Sequence, residues 1–294
     1  MKNANEENPE MQNMNIKMLA LDIDGTLMDA QKRFPEINCR ALQACERRGI
    51  KIALISGRSF ELMRRFARDL GIHPLMAAGN GTRIEAGEDG PTLFEAHFAR
   101  TDAERVCRIL EQSGMYFNVY RRGKCYMGNP HVKESLGQRY AHHIPGCTGD
   151  PGYPYETVCD RDRLWGEGMN GVYKFVVMGM AYDPGFEVIR NQLADMELSV
   201  SSASRRNCEF MPSGVDKASA VAILCEKTGI DPASVMAFGD QTNDLPMLRA
   251  AGWPVAMENG EDAVKAAAKI IAPDHNLGGV GLVLQKYVLG DDEA

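Results

Sequence analysis

A polar start, MKNANEENPEMQNMN, gives way at residue 16 to the apolar run Ile16–Ile23, which breaks at Asp24-Gly25. An apolar stretch of strand length ending on a turn pair reads as a strand covered on both faces. Segment Glu36–Arg48 then predicts a helix, with Pro35 where a first turn tolerates it and Gly49 just past the end. Ile50–Ile55 predicts a second strand, Ser59–Leu70 a helix ended by Gly71, and Leu75–Ala78 a short third strand. The last third repeats this order. Lys217–Thr228 predicts a helix closed by Gly229, Ser234–Phe238 a strand and Asp244–Ala251 a helix. Trp253–Met257 follows as a strand, Asp262–Ala268 as a helix and Ile270-Ile271 as a last short strand. Alternating strands and helices at both ends imply an α/β fold, a parallel sheet with helices on both faces.

The middle of the chain has another pattern. Thr101-Asp102-Ala103-Glu104 has the form of a capping box opening a helix to about Gln112. Tyr116–Tyr120 and Val172–Met178 read as strands and Phe186–Leu193 as a helix, while Ala141–Gly171 is rich in Gly and Pro without a clear period. The expected organisation is a disordered tail over 1–15, a catalytic core from 16–84 and 207–294, and an inserted α+β domain over 85–206.

Composition narrows the function classes. The chain of 294 residues is 44% hydrophobic and 25% charged, an ordinary globular balance. Lys+Arg number 33 against 40 Asp+Glu, a net charge of −7, and the Arg pairs are isolated, which excludes nucleic acid as the main partner. No apolar segment reaches the roughly 18 residues of a membrane span. The first residues lack the apolar stretch of a signal peptide, and the eight Cys include no CxxC pair. Reduced thiols and a cytoplasmic location are expected. The oligomeric state stays open, since no exposed apolar stripe stands out.

Candidate chemistry sits at the strand ends, where open parallel sheets bind ligands. Asp22 and Asp24 lie at the end of the first strand, Ser56-Gly57 at the end of the second, Lys217 at a helix start, and Gly239-Asp240-Gln241-Thr242-Asn243-Asp244 after a late strand. Asp22, Asp24 and Asp240 supply the hard oxygen donors that Mg²⁺ prefers. Ser56, the Gly57 amide, Lys217 and Asn243 are suited to hydrogen-bonding a phosphoryl group. One carboxylate left as nucleophile completes a covalent phosphoryl-transfer site. Each feature alone has a plainer reading: Asp-Gly as a turn, Ser56-Gly57 as a helix cap, Lys217 as a solvated side chain. All four in this order are hard to explain that way. His142-His143 with Cys147 and Cys159 match no tight zinc pair and are read as a loop of the insert. Tyr153, Tyr155, Arg161, Arg163 and Trp165 fall in the same irregular stretch, with substrate contact and simple packing both open.

These motifs resemble the haloacid dehalogenase superfamily, in particular the Cof-type class IIB phosphatases. The DxDGT motif stands as Asp22–Thr26, the Ser/Thr motif as Ser56, the Lys motif as Lys217 in Gly214-Val215-Asp216-Lys217, and GDxxND as Gly239–Asp244. Asn80-Gly81 stands where that group shows an Asn-Gly pair before its cap. The resemblance implies a Rossmann-like core with a C2-type cap, and an Mg²⁺-dependent phosphatase acting on small phosphorylated metabolites, sugar phosphates foremost. By the same resemblance Asp22 is the nucleophile, Asp24 the acid and base, and Lys217 the charge-neutralising group. Metal would be held by Asp22, the Asp24 carbonyl and Asp240, with Asp244 behind them. Phosphate would be held by the Ile23 backbone, Ser56, Gly57, Lys217 and Asn243. A phosphomutase of the same superfamily and a catalytically silent phosphometabolite-binding protein are the alternatives. Carbon–halogen and phosphonate hydrolysis are disfavoured, because Asp24 is a phosphatase-type residue.

Overall fold

The computed structural model describes residues 14–129, 156–158, 160–202 and 204–290. Among these the strands form two sheets. In the first, β1 (Met18–Leu21), β2 (Lys51–Ile55) and β3 (Leu75–Ala78) are joined by α1 (Glu36–Arg47) and α2 (Phe60–Leu70). The chain then doubles back through β4 (Arg83–Glu85) and β5 (Thr92–Glu95). The second sheet follows: α3 (Arg100–Ser113), β6 (Tyr116–Arg121), β7 (Lys124–Gly128), β8 (Glu156–Val158), α4 (Arg161–Gly166), β9 (Val172–Met178), α5 (Gly185–Gln192), β10 (Leu198–Ser201) and β11 (Asn207–Pro212). The chain returns to the first sheet through α6 (Lys217–Thr228), β12 (Val235–Gly239), α7 (Leu245–Ala250), β13 (Trp253–Met257), α8 (Asp262–Ala266), β14 (Ile270–Ala272) and α9 (Gly279–Leu284).

The first sheet has the order β14-β13-β12-β1-β2-β3-β4-β5. It is parallel from β14 to β3 and antiparallel at β4 and β5. Its central strand MLAL is buried throughout, as a strand covered on both faces must be. Leu19 and Leu21 pack into one cluster, Met18 and Ala20 into another, so alternate residues serve opposite faces. Helix α2 shows why these segments settle where they do. The Ser59 hydroxyl accepts from Leu62 N–H at its start, Gly71 ends it in the left-handed region, and Phe60, Leu62, Met63, Phe66, Ala67 and Leu70 line its buried face. Each large side chain among them contributes about 1.5–3 kcal/mol by leaving water.

The second sheet, β10-β11-β9-β6-β7-β8, buries one face under α3 and α5 around Phe117, Phe175, Val177 and Phe210. Its other face carries Lys174, Ser201 and Glu209, which reach the first sheet's Gly57 and Asn80.

Several expectations need correction. The first strand stops at Leu21 because the chain turns at once: the Ile23 carbonyl accepts from Thr26, Leu27 and Met28. The expected capping box does not form, since α3 starts at Arg100 and places Thr101 inside the helix. Placing 85 in the insert and 207 in the core misassigns two strands: β5 pairs with β4 in the first sheet, and β11 pairs with β9 in the second. Hairpins cause both errors, because they carry no composition change at their boundaries. The stretch without a clear period over 141–171 contains β8 and α4, and the pattern of the sequence shows no sign of α9. Residues 1–13, His142, His143, Cys147, Tyr153, Tyr155 and Cys159 lie outside the described residues. Among the described helices, none is long and apolar enough to cross a membrane.

Candidate active site

Strands β12, β1 and β2 are neighbours and run parallel, so the residues just past their ends come together. They are Asp240, Asp22 and Ser56. The Asp22 amide still donates to Phe238 O at 3.1 Å, which fixes where its side chain leaves the sheet. Lys217 reaches the same point from the first residue of α6, whose start is capped by the Asp216 carboxylate bonding Ser219 N–H at 2.7 Å. Its ammonium is 2.5 Å from Asp22 Oδ1 and 2.5 Å from Asp244 Oδ1. Nearly 200 residues of chain separate Asp22 from Lys217, and only the fold joins them.

Carboxylate oxygens of Asp22, Asp240 and Asp244 lie within 4.8 Å of one another, all three side chains being buried. Asp244 has both oxygens engaged, Oδ1 by Lys217 and Oδ2 by the Asp240 and Gln241 amides at 2.9 and 3.0 Å. Asp240 Oδ1 accepts from the Thr26 hydroxyl at 2.9 Å. Asp22 Oδ2 and Asp240 Oδ2 accept no hydrogen bond from a described residue. Gly25 makes this approach possible: at φ 80° a side chain is strained, and a Cβ there would stand 2.3 Å from Asp240 Oδ2.

Electrostatics follow from crowding. Burial pushes the Asp22 carboxyl up to about 7; Lys217 opposes the rise, and Asp244 and Asp24 add to it. Burial likewise raises Asp240 to about 8, with Asp22 and Asp244 adding to the rise. Lys217 goes the other way: burial lowers it, but Asp22 and Asp244 outweigh burial and hold the ammonium charged. Three carboxylates against one ammonium leave two negative charges when all are ionised, the deficit a hard dication with oxygen ligands makes good. The residues fit Mg²⁺ on that ground, through the open oxygens of Asp22 and Asp240.

The Asp24 carboxylate is engaged by cations of the protein itself. The Arg58 guanidinium grips it with two bonds of 2.7 Å, and Lys32 adds a third at 2.9 Å. Burial raises this carboxyl, yet Arg58 and then Lys32 outweigh it and hold it well below the usual carboxylate range. Both of its carboxylate oxygens are thus taken up by protein cations.

The remaining expected residues are placed as follows. Ser56 is buried, and its Oγ accepts from Arg58 N–H at 3.3 Å. The Gly57 carbonyl accepts from Lys174 at 2.9 Å. Ile23 buries its side chain in the core and offers only backbone. Asn243 is half-buried on the short turn Thr242–Asp244, beside the cluster in sequence. Arg163 bonds Glu167 and Trp165 bonds Glu111, both within the second sheet's own layer. Sequence reasoning missed Lys32, Arg58, Lys174 and Glu209. Arg58 adjoins a motif already chosen, and Lys174 interrupts the apolar strand VYKFVVM, a buried charge that was itself a signal.

The chain resembles known proteins over nearly its whole length. The 5-amino-6-(5-phospho-D-ribitylamino)uracil phosphatase YcsE of Bacillus subtilis is 25% identical over 286 residues, covering 95% of this chain and 99% of that one. The phosphoglycolate phosphatase of Methanobrevibacter smithii is 26% identical over 282 residues, covering 94% and 100%. In fold, a haloacid dehalogenase-like hydrolase from B. subtilis superposes with a TM-score of 0.81 at 21% identity, covering 93% of this chain and 100% of that one. The subclass IIB sugar phosphatase BT4131 superposes with a TM-score of 0.73 at 21% identity, covering 92% and 98%. Residues 19–284, which include the acidic cluster, Lys217 and all but the first residue of the two sheets, match the model of the haloacid dehalogenase-like hydrolases, and the chain belongs to that family.

Proposed function

We propose that this protein hydrolyses phosphate monoesters of small metabolites, sugar phosphates foremost, through an aspartyl-phosphate on Asp22. One observation carries the reading: the Lys217 ammonium bridges Asp22 and Asp244 beside Asp240 at the carboxyl ends of neighbouring parallel strands. In the first step an Asp22 oxygen attacks phosphorus and the bond from phosphorus to the leaving alcohol breaks. Asp24 gives that alcohol its proton. In the second step Asp24 takes a proton from water, the water oxygen bonds to phosphorus, and the bond to Asp22 breaks to free phosphate. Asp22, Asp240 and the Asp24 carbonyl would hold Mg²⁺, which would supply neutralising charge to the nucleophile and the phosphoryl oxygens. Lys217 holds the attacking carboxylate in place, and Asp244 orients Lys217. Ser56 Oγ, the Ile23 and Gly57 amides and Asn243 are the donors for the phosphoryl oxygens.

Arg58 keeps Asp24 ionised, which suits its role as base. Its role as acid requires the Arg58 pair to open first and the carboxyl to take up a proton. Seating of the second sheet over Gly57 and Asn80 favours compact substrates. The names of the relatives, phosphatases of a phosphoribityl compound and of phosphoglycolate, support the same class. Phosphate release from p-nitrophenyl phosphate in Mg²⁺, lost in excess chelator and lost in Asp22→Ala, is the expected result. Near-wild-type turnover by Asp22→Ala would overturn the nucleophile assignment.

A further inference from the structure

Three successive carbonyls follow β2, and each has its own donor. Ser56 O accepts from the Asn80 amide at 2.8 Å and Arg58 O from the Gly79 amide at 2.9 Å, both donors belonging to the turn after β3. Between them, Gly57 O accepts from the Lys174 ammonium at 2.9 Å, a side chain carried by β9 of the other sheet. The first sheet thus supplies two of the three grips and the second sheet the middle one.

That middle grip fixes a peptide plane. Gly57 C=O and Arg58 N–H belong to one planar trans unit and point opposite ways. With the carbonyl on Lys174, the N–H meets Ser56 Oγ at 3.3 Å. A hydroxyl that accepts this bond keeps its own hydrogen for another acceptor. The same residue, Arg58, holds Asp24 with its guanidinium.

Lys174 is itself held. Glu209 Oε2 lies 2.8 Å from its ammonium and also accepts from Asn80 Nδ2 at 2.7 Å and Ser201 Oγ at 3.2 Å. To make its bond, Asn80 sits at φ 61° with Oδ1 buried and without a partner. Local strain of this kind persists only where surrounding structure enforces it. Gly57 leaves the necessary room: a Cβ there would stand 3.1 Å from Lys174 Nζ and 3.2 Å from Asn80 Oδ1.

We propose that Lys174 is a positioning residue that acts from the second sheet on the Gly57–Arg58 peptide, setting Ser56 Oγ for the phosphoryl group and Arg58 for Asp24. The loop is therefore complete only while the second sheet is seated. This rests on the phosphoryl-transfer reading above. The competing explanation is a buried ion pair that merely fastens one sheet to the other.

Lys174→Met alone strands the buried Glu209 carboxylate and risks unfolding, so the decisive variant is Lys174→Met/Glu209→Leu, which removes both charges. With p-nitrophenyl phosphate its kcat/KM is expected to fall about 10- to 100-fold, the scale of a small misplacement of reacting groups. Inhibition by inorganic phosphate should weaken alongside, while the melting temperature stays near that of the wild type. Values of kcat/KM and phosphate inhibition within about twofold of wild type, in a folded variant, would overturn the proposal. Backbone hydrogen exchange gives a readout independent of turnover. Faster exchange at Arg58, Gly79 and Asn80, with β6 and β9 unchanged, supports the positioning role; unchanged exchange at those three amides overturns it. If the wild type neither hydrolyses nor binds phosphate, the phosphatase reading falls, and the exchange result alone decides the role of Lys174.

Discussion

At the ends of β1 and β12 one ammonium, Lys217, faces three carboxylates whose oxygens lie within 4.8 Å of one another. Beneath the second sheet another ammonium, Lys174, faces a single carboxylate, Glu209, at 2.8 Å. Both lysines are almost fully buried. Around Lys174 the charges cancel and a backbone carbonyl takes a further bond, so the cluster is complete as it stands. Around Lys217 they do not cancel, and Asp22 and Asp240 pay for it by holding protons up to about 7 and about 8, driven first by burial. A buried excess of one sign marks a place built for something that arrives later, whereas a balanced pair needs no further partner.

Removing each lysine breaks this contrast most directly. Lys217→Met leaves three buried carboxylates without a cation and is expected to lose about 3–5 kcal/mol in urea unfolding with chelator present. The loss should be larger at pH 8 than at pH 6, because Asp22 and Asp240 can take up protons at the lower pH. An unchanged unfolding midpoint at pH 8 would mean that the cluster is not under charge strain.

Metal addition sharpens the same contrast. Asp22 and Asp240 bind protons more tightly folded than unfolded, so without metal stability falls as pH rises from about 4 to about 8. Mg²⁺ should raise the melting temperature and flatten that fall; a ligand at 100 times its Kd adds about 2.7 kcal/mol. Asp240→Asn should lose most of the gain, and Lys174→Met/Glu209→Leu should keep it. Equal gains in both variants would place the cation elsewhere.

The acidic cluster was legible because its residues lie at element ends, where polar side chains interrupt apolar runs. Asp22, Lys217 and Asp244 were each singled out, and the Lys217 ammonium lies 2.5 Å from both carboxylates. Helices and strands with caps or breaks were legible for the same reason: Leu75–Ala78, Lys217–Thr228 and Trp253–Met257 match to the residue. What was missed is what periodicity does not carry. The Lys174–Glu209 pair joins strands 30-odd residues apart within one sheet, and its meaning depends on Gly57 of the other. The partners of the Asp24 carboxylate, Arg58 and Lys32, were missed as well, because loop geometry sets them.

A third cluster tests whether imbalance alone is enough. Glu167, just past α4, accepts from the Tyr126 hydroxyl at 2.5 Å, Lys124 at 3.0 Å and Arg121 at 3.5 Å, and its other oxygen accepts from Arg163 at 2.9 Å. Here three cations surround one carboxylate, the reverse of the Lys217 site, but Glu167 keeps 28% of its side chain in water. Tyr126, Lys124 and Arg163 pull its carboxyl down to about 2. A carboxyl lowered from 4.5 contributes stability above that pH and loses it as pH falls toward 2. Water screens such a pair, so the contribution is small. Glu167→Gln should therefore leave turnover and the melting temperature at pH 7 almost unchanged, and make the drop in melting temperature between about pH 5 and about pH 3 shallower than in the wild type. If it instead cost as much as Lys217→Met, charge count rather than burial would govern these clusters. The excess at Lys217 would then lose its standing as the mark of a ligand site.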